Sequence, residues 1–182
     1  MASKKPVNSI GVVIDTSIVR TSGNFDAVHP DAIACRTVLE KFLQSQLTLI
    51  LTDEIYLEWT KINLENNRVY MSKYAVLWLS KMNNLGKVRR ITPIKRNEVI
   101  DCIKERLIPE RISVIMKDIH LFEAALSSDN RILSFENACW SCFKELRGCT
   151  HYADRIFWVN AADTNSQVWI DSGAIEDEYW KN

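Results

Sequence analysis

The sequence predicts an α/β domain built on a central, mostly parallel sheet of about five strands. Two observations carry this. Short apolar runs alternate along the chain with longer segments of helical periodicity. The first two runs, IGVVI and LTLIL, are apolar at nearly every position, as strands covered on both faces must be. Length and punctuation agree: 182 residues with only 5 Gly and 4 Pro fit one domain with a real core and short loops.

Taken in order, the strands are expected at Ile10–Ile14, Leu47–Leu51, Val88–Ile94, Arg131–Phe135 and Arg155–Val159, each rich in β-branched or large apolar residues. The helix Asp31–Gln44 follows from the stripe Ala32, Cys35, Val38, Leu39, Phe42. Thr52–Ile62 has Thr52 as its N-cap, with Asp53 and Glu54 suited to a first turn. Tyr74–Met82 and Asn97–Leu107 are further helices. Asp118–Leu126 places Ile119, Phe122 and Leu126 on one face, and Asn137–Leu146 turns Ala138, Cys142 and Phe143 inward. Residues 1–8 are expected as a flexible arm, 9–160 as the domain with a helical insertion at about 63–112, and 161–182 as a C-terminal extension.

Lys+Arg and Asp+Glu both number 23, so no global charge pulls the chain toward a polyanion. Binding to nucleic acid would need a local basic patch. The start MASKKPVNSI has no apolar stretch of signal-peptide length and no segment could span a bilayer, so a cytoplasmic protein without a membrane partner is expected. Five cysteines without regular spacing are read as free thiols.

Four acidic residues stand out. In an open α/β sheet the site lies beyond the carboxyl ends of the strands. Asp15 follows the first strand directly and Glu136 follows the Arg131–Phe135 strand. Asp118 opens the helix leading into that strand, and Glu58 sits six residues after Thr52, in the early turns of a helix that starts at the same edge. Grouped carboxylates raise one another's pKa, and a hard divalent cation relieves the repulsion through oxygen ligands. Each acid also has a plainer reading as a helix cap or a solvated face.

Order and spacing resemble the PIN domain nucleases over roughly Ile10 to Val159. VVIDTSIV is similar to that family's first strand with its metal-binding Asp, here Asp15, followed by Thr16 and Ser17. LTDEIYLEW resembles its second segment, which selects Glu58 over Asp53 and Glu54. KDIHLFEAALSSDNRILSFENACW resembles its third, with Asp118, then an apolar strand, then Ser134-Phe135-Glu136 in place of the commoner Thr-x-Asp. The resemblance implies a three-layer α/β/α fold and an endoribonuclease in which Asp15, Glu58, Asp118 and Glu136 hold Mg²⁺ or Mn²⁺. Thr16 and Ser134 would orient carboxylates or substrate, and Arg20 and Lys117 are candidates for phosphate contacts. RNA is the first substrate expected, with DNA as an alternative. Toxins and phage-defence effectors, some restrained by an antitoxin or other protein partner, and homodimers are among the contexts such proteins occupy.

Three further readings come from other residues. A scaffold module with a degraded site is the second function class, favoured by Glu136 in place of Asp. Cys139-x₂-Cys142 with Cys149 and His151 has the spacing of a Cys₃His zinc site, although an apolar helix is also where small buried thiols belong. Trp169 and Trp180 in the tail are candidates for stacking on bases or a partner, whereas Lys87, Arg89 and Arg90 are expected as a solvated surface. Asp163 is read as a turn residue, with a ligand role as its alternative. None of His29, His120 and His151 carries a site signature.

Overall fold

The computed structural model describes residues 9–63, 68–163 and 165–176. The expected arm at 1–8 and Trp180 lie outside the described residues. The chain runs β1 (Gly11–Ile14), α1 (Thr16–Thr21), α2 (Pro30–Gln44), β2 (Thr48–Leu51), α3 (Asp53–Thr60), a small antiparallel pair β3 (Ile62–Asn63) and β4 (Arg68–Val69), α4 (Lys73–Asn84) and β5 (Val88–Arg90). It continues through α5 (Asn97–Arg106), α6 (Pro109–Lys117), α7 (Ile119–Leu126), β6 (Arg131–Ser134), α8 (Asn137–Lys144), α9 (His151–Arg155), β7 (Phe157–Asn160) and α10 (Ser166–Asp171).

The central sheet has the order β5-β2-β1-β6-β7 and every pairing in it is parallel. The expected α/β class therefore holds, with helices flanking both faces of the sheet. α1, α2, α4 and α10 pack together on one side, and α6 packs with α5, α7 and α8 on the other. Each strand is uniformly buried at β1, β2 and β6, which is why the sequence reads as unbroken apolar runs there instead of alternating ones. β5 is an edge strand. It ends at Arg90, short of the expected Ile94, with Arg89 and Arg90 exposed and Pro93 unable to extend a ladder.

Chain order reverses beside β1, since β2 lies on one side of it and β6 on the other. The cleft of a doubly wound sheet opens at such a switch point. Val13 pairs with Ile132 and Ile14 with Leu133, so β1 and β6 end side by side. At the opposite end of β1, Gly11 has no room for a β-carbon, which would collide with the Ile50 and Arg89 side chains.

Several expectations are corrected. The C-terminal segment is not a free surface: Trp169, Ile170 and Ala174 are completely buried, and α10 packs on α2. Arg131 Nε donates to the Ala174 carbonyl and closes this segment onto β6. Two of the five cysteines are not free thiols, because Cys102 of α5 is joined to Cys149 by a disulfide, leaving Cys35, Cys139 and Cys142 as buried thiols. With Cys149 so committed, the zinc reading loses a ligand, and no group of three or more His, Cys, Asp or Glu poised for a metal occurs among the described residues. Residues 109–117, left unassigned by pattern, form a helix that Pro109 opens, where its missing N–H is harmless.

Candidate active site at the carboxyl edge of the sheet

Asp15 and Glu136 stand at neighbouring strand ends, as the parallel register requires. Asp15 occupies the N-cap of α1, Asp118 the N-cap of α7 and Glu136 the N-cap of α8, yet none of the three makes a side-chain capping hydrogen bond. Ordinary caps in the same protein do: Thr52 accepts from Ile55, Ser72 from Ala75 and Thr150 from Ala153. The plain capping explanation of the three acids therefore fails on geometry. Each carboxylate sits at a helix N-terminus, where the backbone dipole favours negative charge, without bonding the free N–H groups there.

Asp15 is the anchor. It is 6% exposed, and its Oδ2 accepts from Ser17 Oγ at 2.5 Å and from Ser134 Oγ at 2.6 Å. The two hydroxyls are themselves aligned by the backbone: Phe135 N donates to Ser17 Oγ and Glu136 N donates to Ser134 Oγ, both at 3.0 Å. The end of β6 thus holds the carboxylate that ends β1. Among the described residues no hydrogen bond engages Asp15 Oδ1. Thr16, the neighbour expected to orient the site, is buried with a hydroxyl that no protein group satisfies, although it lies near enough to Glu58 to favour that residue's ionised form.

Asp118 carries the strongest electrostatic sign of crowding. Burial, then the charge of Asp15, then those of Glu136 and Glu58, push its pKa up to about 6, against a partial offset from the neighbouring Cys139 thiol. The charges of the other three expected carboxylates therefore all reach Asp118. Burial would also raise Glu58, but hydrogen bonding and charge from His120, with help from Thr16 and Arg20, outweigh it and leave the pKa lowered. His120 Nε2 lies 3.0 Å from Glu58 Oε2, and although burial opposes protonation, Glu58 carries the pKa of His120 above its ordinary value.

His120 and Ser17 are the residues that sequence reasoning missed. His120 lies two positions after Asp118, a D-x-H spacing that a helix reading could have noticed. Ser17 is adjacent in sequence to Thr16, and only the position of β6 distinguishes their roles. Arg20 exerts its charge on Glu58 from the last turn of α1. Lys117 is exposed at the end of α6 and forms no ion pair among the described residues. Asp163 serves the turn after β7 by accepting from Asn165 N at 2.8 Å.

Carboxylate oxygens are the donor type that hard divalent ions prefer. The expected ligands are all carboxylates, whose mutual repulsion a cation would relieve. Among the described residues, however, no group of three or more His, Cys, Asp or Glu is gathered closely enough to hold a metal ion; Glu58 is turned to His120 and Asp15 Oδ2 to two serines. An open, water-rich arrangement completed by substrate phosphate is the coordination Mg²⁺ favours. No protein-family model and no curated protein matches this chain.

Proposed function

We propose that the protein is a metal-dependent phosphodiesterase of the PIN-like nuclease type, acting first on RNA, with Asp15, Glu58, Asp118 and Glu136 as the groups that hold Mg²⁺ or Mn²⁺. One observation carries the reading. Asp15, Asp118 and Glu136 sit at helix N-caps without capping, and the charges of Asp15, Glu136 and Glu58 all raise the Asp118 pKa. A fold keeps like charges together at such a cost when a cation is to neutralise them.

A divalent ion there would neutralise charge on the phosphate and acidify a water. The chain's own groups do the rest. Ser17 and Ser134 lock Asp15 in one orientation, leaving Oδ1 for the ion. His120 fixes the Glu58 carboxylate and, when protonated, holds a proton at Nε2 beside Oε2. Asp118 is half protonated near pH 6 and is an anion at neutral pH, where ion binding needs it ionised. Arg20 adds a guanidinium at the same edge, suited to a non-bridging phosphate oxygen.

The test is incubation of the purified chain with single- and double-stranded RNA and DNA in Mg²⁺, Mn²⁺ or EDTA. Cleavage confined to the metal-containing reactions is expected. Cleavage that persists in excess EDTA would overturn the mechanism. Cleavage of nothing, by protein whose fold is intact, would favour the scaffold reading.

A further inference from the structure

The end of α1 and the start of α4 border a cavity of about 630 Å³, within the roughly 300–1,000 Å³ range of small-molecule sites. None of Asp15, Glu58, Asp118 and Glu136 lines it, so what it holds is a question apart from the acid site. Two kinds of surface meet in it. Val69, Tyr70, Met71 and Val76 form an apolar part, in which Val69 and Val76 remain about half exposed. Arg20 and Lys73 form a cationic part, and among the described residues no acidic side chain lines the cavity. Neither cation makes an ion pair among the described residues. The Arg20 guanidinium lies instead over the Tyr70 ring, 5.9 Å from its centroid.

Backbone hydrogen bonds hold these walls in place. Ser72 N donates to the Val19 carbonyl at 3.0 Å and Tyr74 N to that of Gly23 at 3.3 Å, which ties the first turn of α4 to the end of α1. The Ser22 and Ser72 hydroxyls meet at 2.7 Å between them. Tyr70 N and Met71 N donate to the Lys61 and Trp59 carbonyls, both at 2.9 Å, and anchor the apolar wall to the end of α3. A site already formed loses little ordering entropy when it is filled.

Composition decides the ligand class. A purely apolar ligand would cover Arg20 and Lys73 and leave their charges without a partner, which is costly. A bare inorganic anion would use little of the volume and leave the apolar walls wet. A molecule with an apolar body and one anionic group satisfies both parts. We propose that this cavity binds a small organic anion, its apolar body against Val69, Tyr70 and Val76 and its carboxylate or phosphate between Arg20 and Lys73. Guanidinium and ammonium groups recognise either head group, and the positive end of the α4 dipole favours both.

The test is calorimetric titration of the full chain in EDTA, which keeps metal out of the acid site. The probes are 1-naphthyl phosphate, 1-naphthaleneacetate, the neutral 1-naphthalenemethanol with the same rings, and inorganic phosphate with none. One-site binding of at least one naphthyl anion is expected, and the tighter of the two names the head group. The alcohol should bind roughly 10- to 100-fold more weakly, the worth of a charge-assisted contact, and inorganic phosphate should not saturate. Lys73→Gln should weaken the anion by a similar factor and leave the alcohol unchanged, and Val76→Glu should abolish anion binding. Both positions are exposed on α4; Gln removes a cation that opposes the helix dipole and Glu is a good helix former, so the fold should hold. Lys81→Gln, on the same helix but outside the cavity, should bind as the unsubstituted protein does. No saturable binding of either anion, equal affinity for the alcohol, or inorganic phosphate bound as tightly as naphthyl phosphate overturns the proposal. So does anion binding that survives both Lys73→Gln and Val76→Glu. Binding is read without metal and without cleavage, so neither result depends on whether the protein is a nuclease.

Discussion

At the scale of single residues, Asp118 makes the sharpest prediction. Its pKa of about 6 lies above the ordinary 3.8. The native state therefore binds more protons than the unfolded chain between those values, and stability falls as pH rises through that window. Above about pH 6 the full penalty of the ionised carboxylate is present, and below about pH 4 it is absent. Asp118→Asn should thus raise metal-free stability at pH 7.5 by roughly 1–2 kcal/mol, after discounting for solvent screening, and leave it unchanged near pH 4. Urea unfolding in EDTA at the two pH values checks this, and a stability loss at pH 7.5 would make Asp118 structural. Ser134→Ala removes one of two hydroxyls from a buried carboxylate, a loss of about 1–3 kcal/mol. It should also reduce any cleavage, because Asp15 would keep only Ser17. Legibility was uneven at this scale. Asp15 and Asp118 could be found because strand ends and helix starts are local signals. Ser17 could not, because its importance comes from β6, and His120 offered only its spacing from Asp118, since its partner Glu58 comes from α3.

At the scale of elements, periodicity found the strands because burial on both faces leaves no polar residue to blur them. It misplaced ends where a polar neighbour was caught up in another task. Arg155 was counted into the last strand but closes α9, and β7 begins only at Phe157. In the basic run at 87–90, Arg89 and Arg90 are exposed as expected, but Lys87 is structural. Lys87 Nζ donates to the carbonyls of Phe42, Leu43 and Ser45 at the end of α2, and Arg89 pairs with Asp129 at 2.6 Å. Lys87→Met should therefore destabilise the fold by roughly 1.5–3 kcal/mol, through lost charge-assisted hydrogen bonds, without altering activity per folded molecule. Chemical denaturation and a cleavage assay on the same preparation separate the two effects. α10 shows the opposite error. Short and mixed in character, it looks like a tail, yet Trp169 is 0% exposed. Trp169→Ala should cost about 3–5 kcal/mol, a core-sized loss read by thermal unfolding, whereas a partner-facing Trp would cost little.

At the scale of the whole molecule, the parallel sheet and its switch point bring together acids that are 121 residues apart from first to last. The placement of Asp15 and Glu136 could be anticipated from sequence because the fold class fixes where strand ends go. The course of residues 70–72 could not, since it depends on backbone hydrogen bonds to Lys61, Trp59 and Val19 at the ends of α3 and α1. The Cys102–Cys149 disulfide was equally hidden, because spacing says nothing about how α5 approaches the loop before α9. It closes a loop spanning a separation of 47 residues, for which chain entropy gives about 4 kcal/mol as an upper estimate. Reductant, or Cys149→Ser, should lower the melting temperature of the purified protein accordingly. An unchanged melting temperature would show that the bond adds nothing to this fold.

The central claim is that the four carboxylates form one cation site. Mn²⁺ binding to the unsubstituted protein, measured by calorimetric titration at pH 7.5 and pH 5, tests it most directly. Saturable binding is predicted at pH 7.5. It should weaken at pH 5, where protonated Asp118 competes with the ion, and disappear in Asp118→Asn and Asp15→Asn. Absence of saturable binding to folded protein, or equal binding by both variants, would contradict the account.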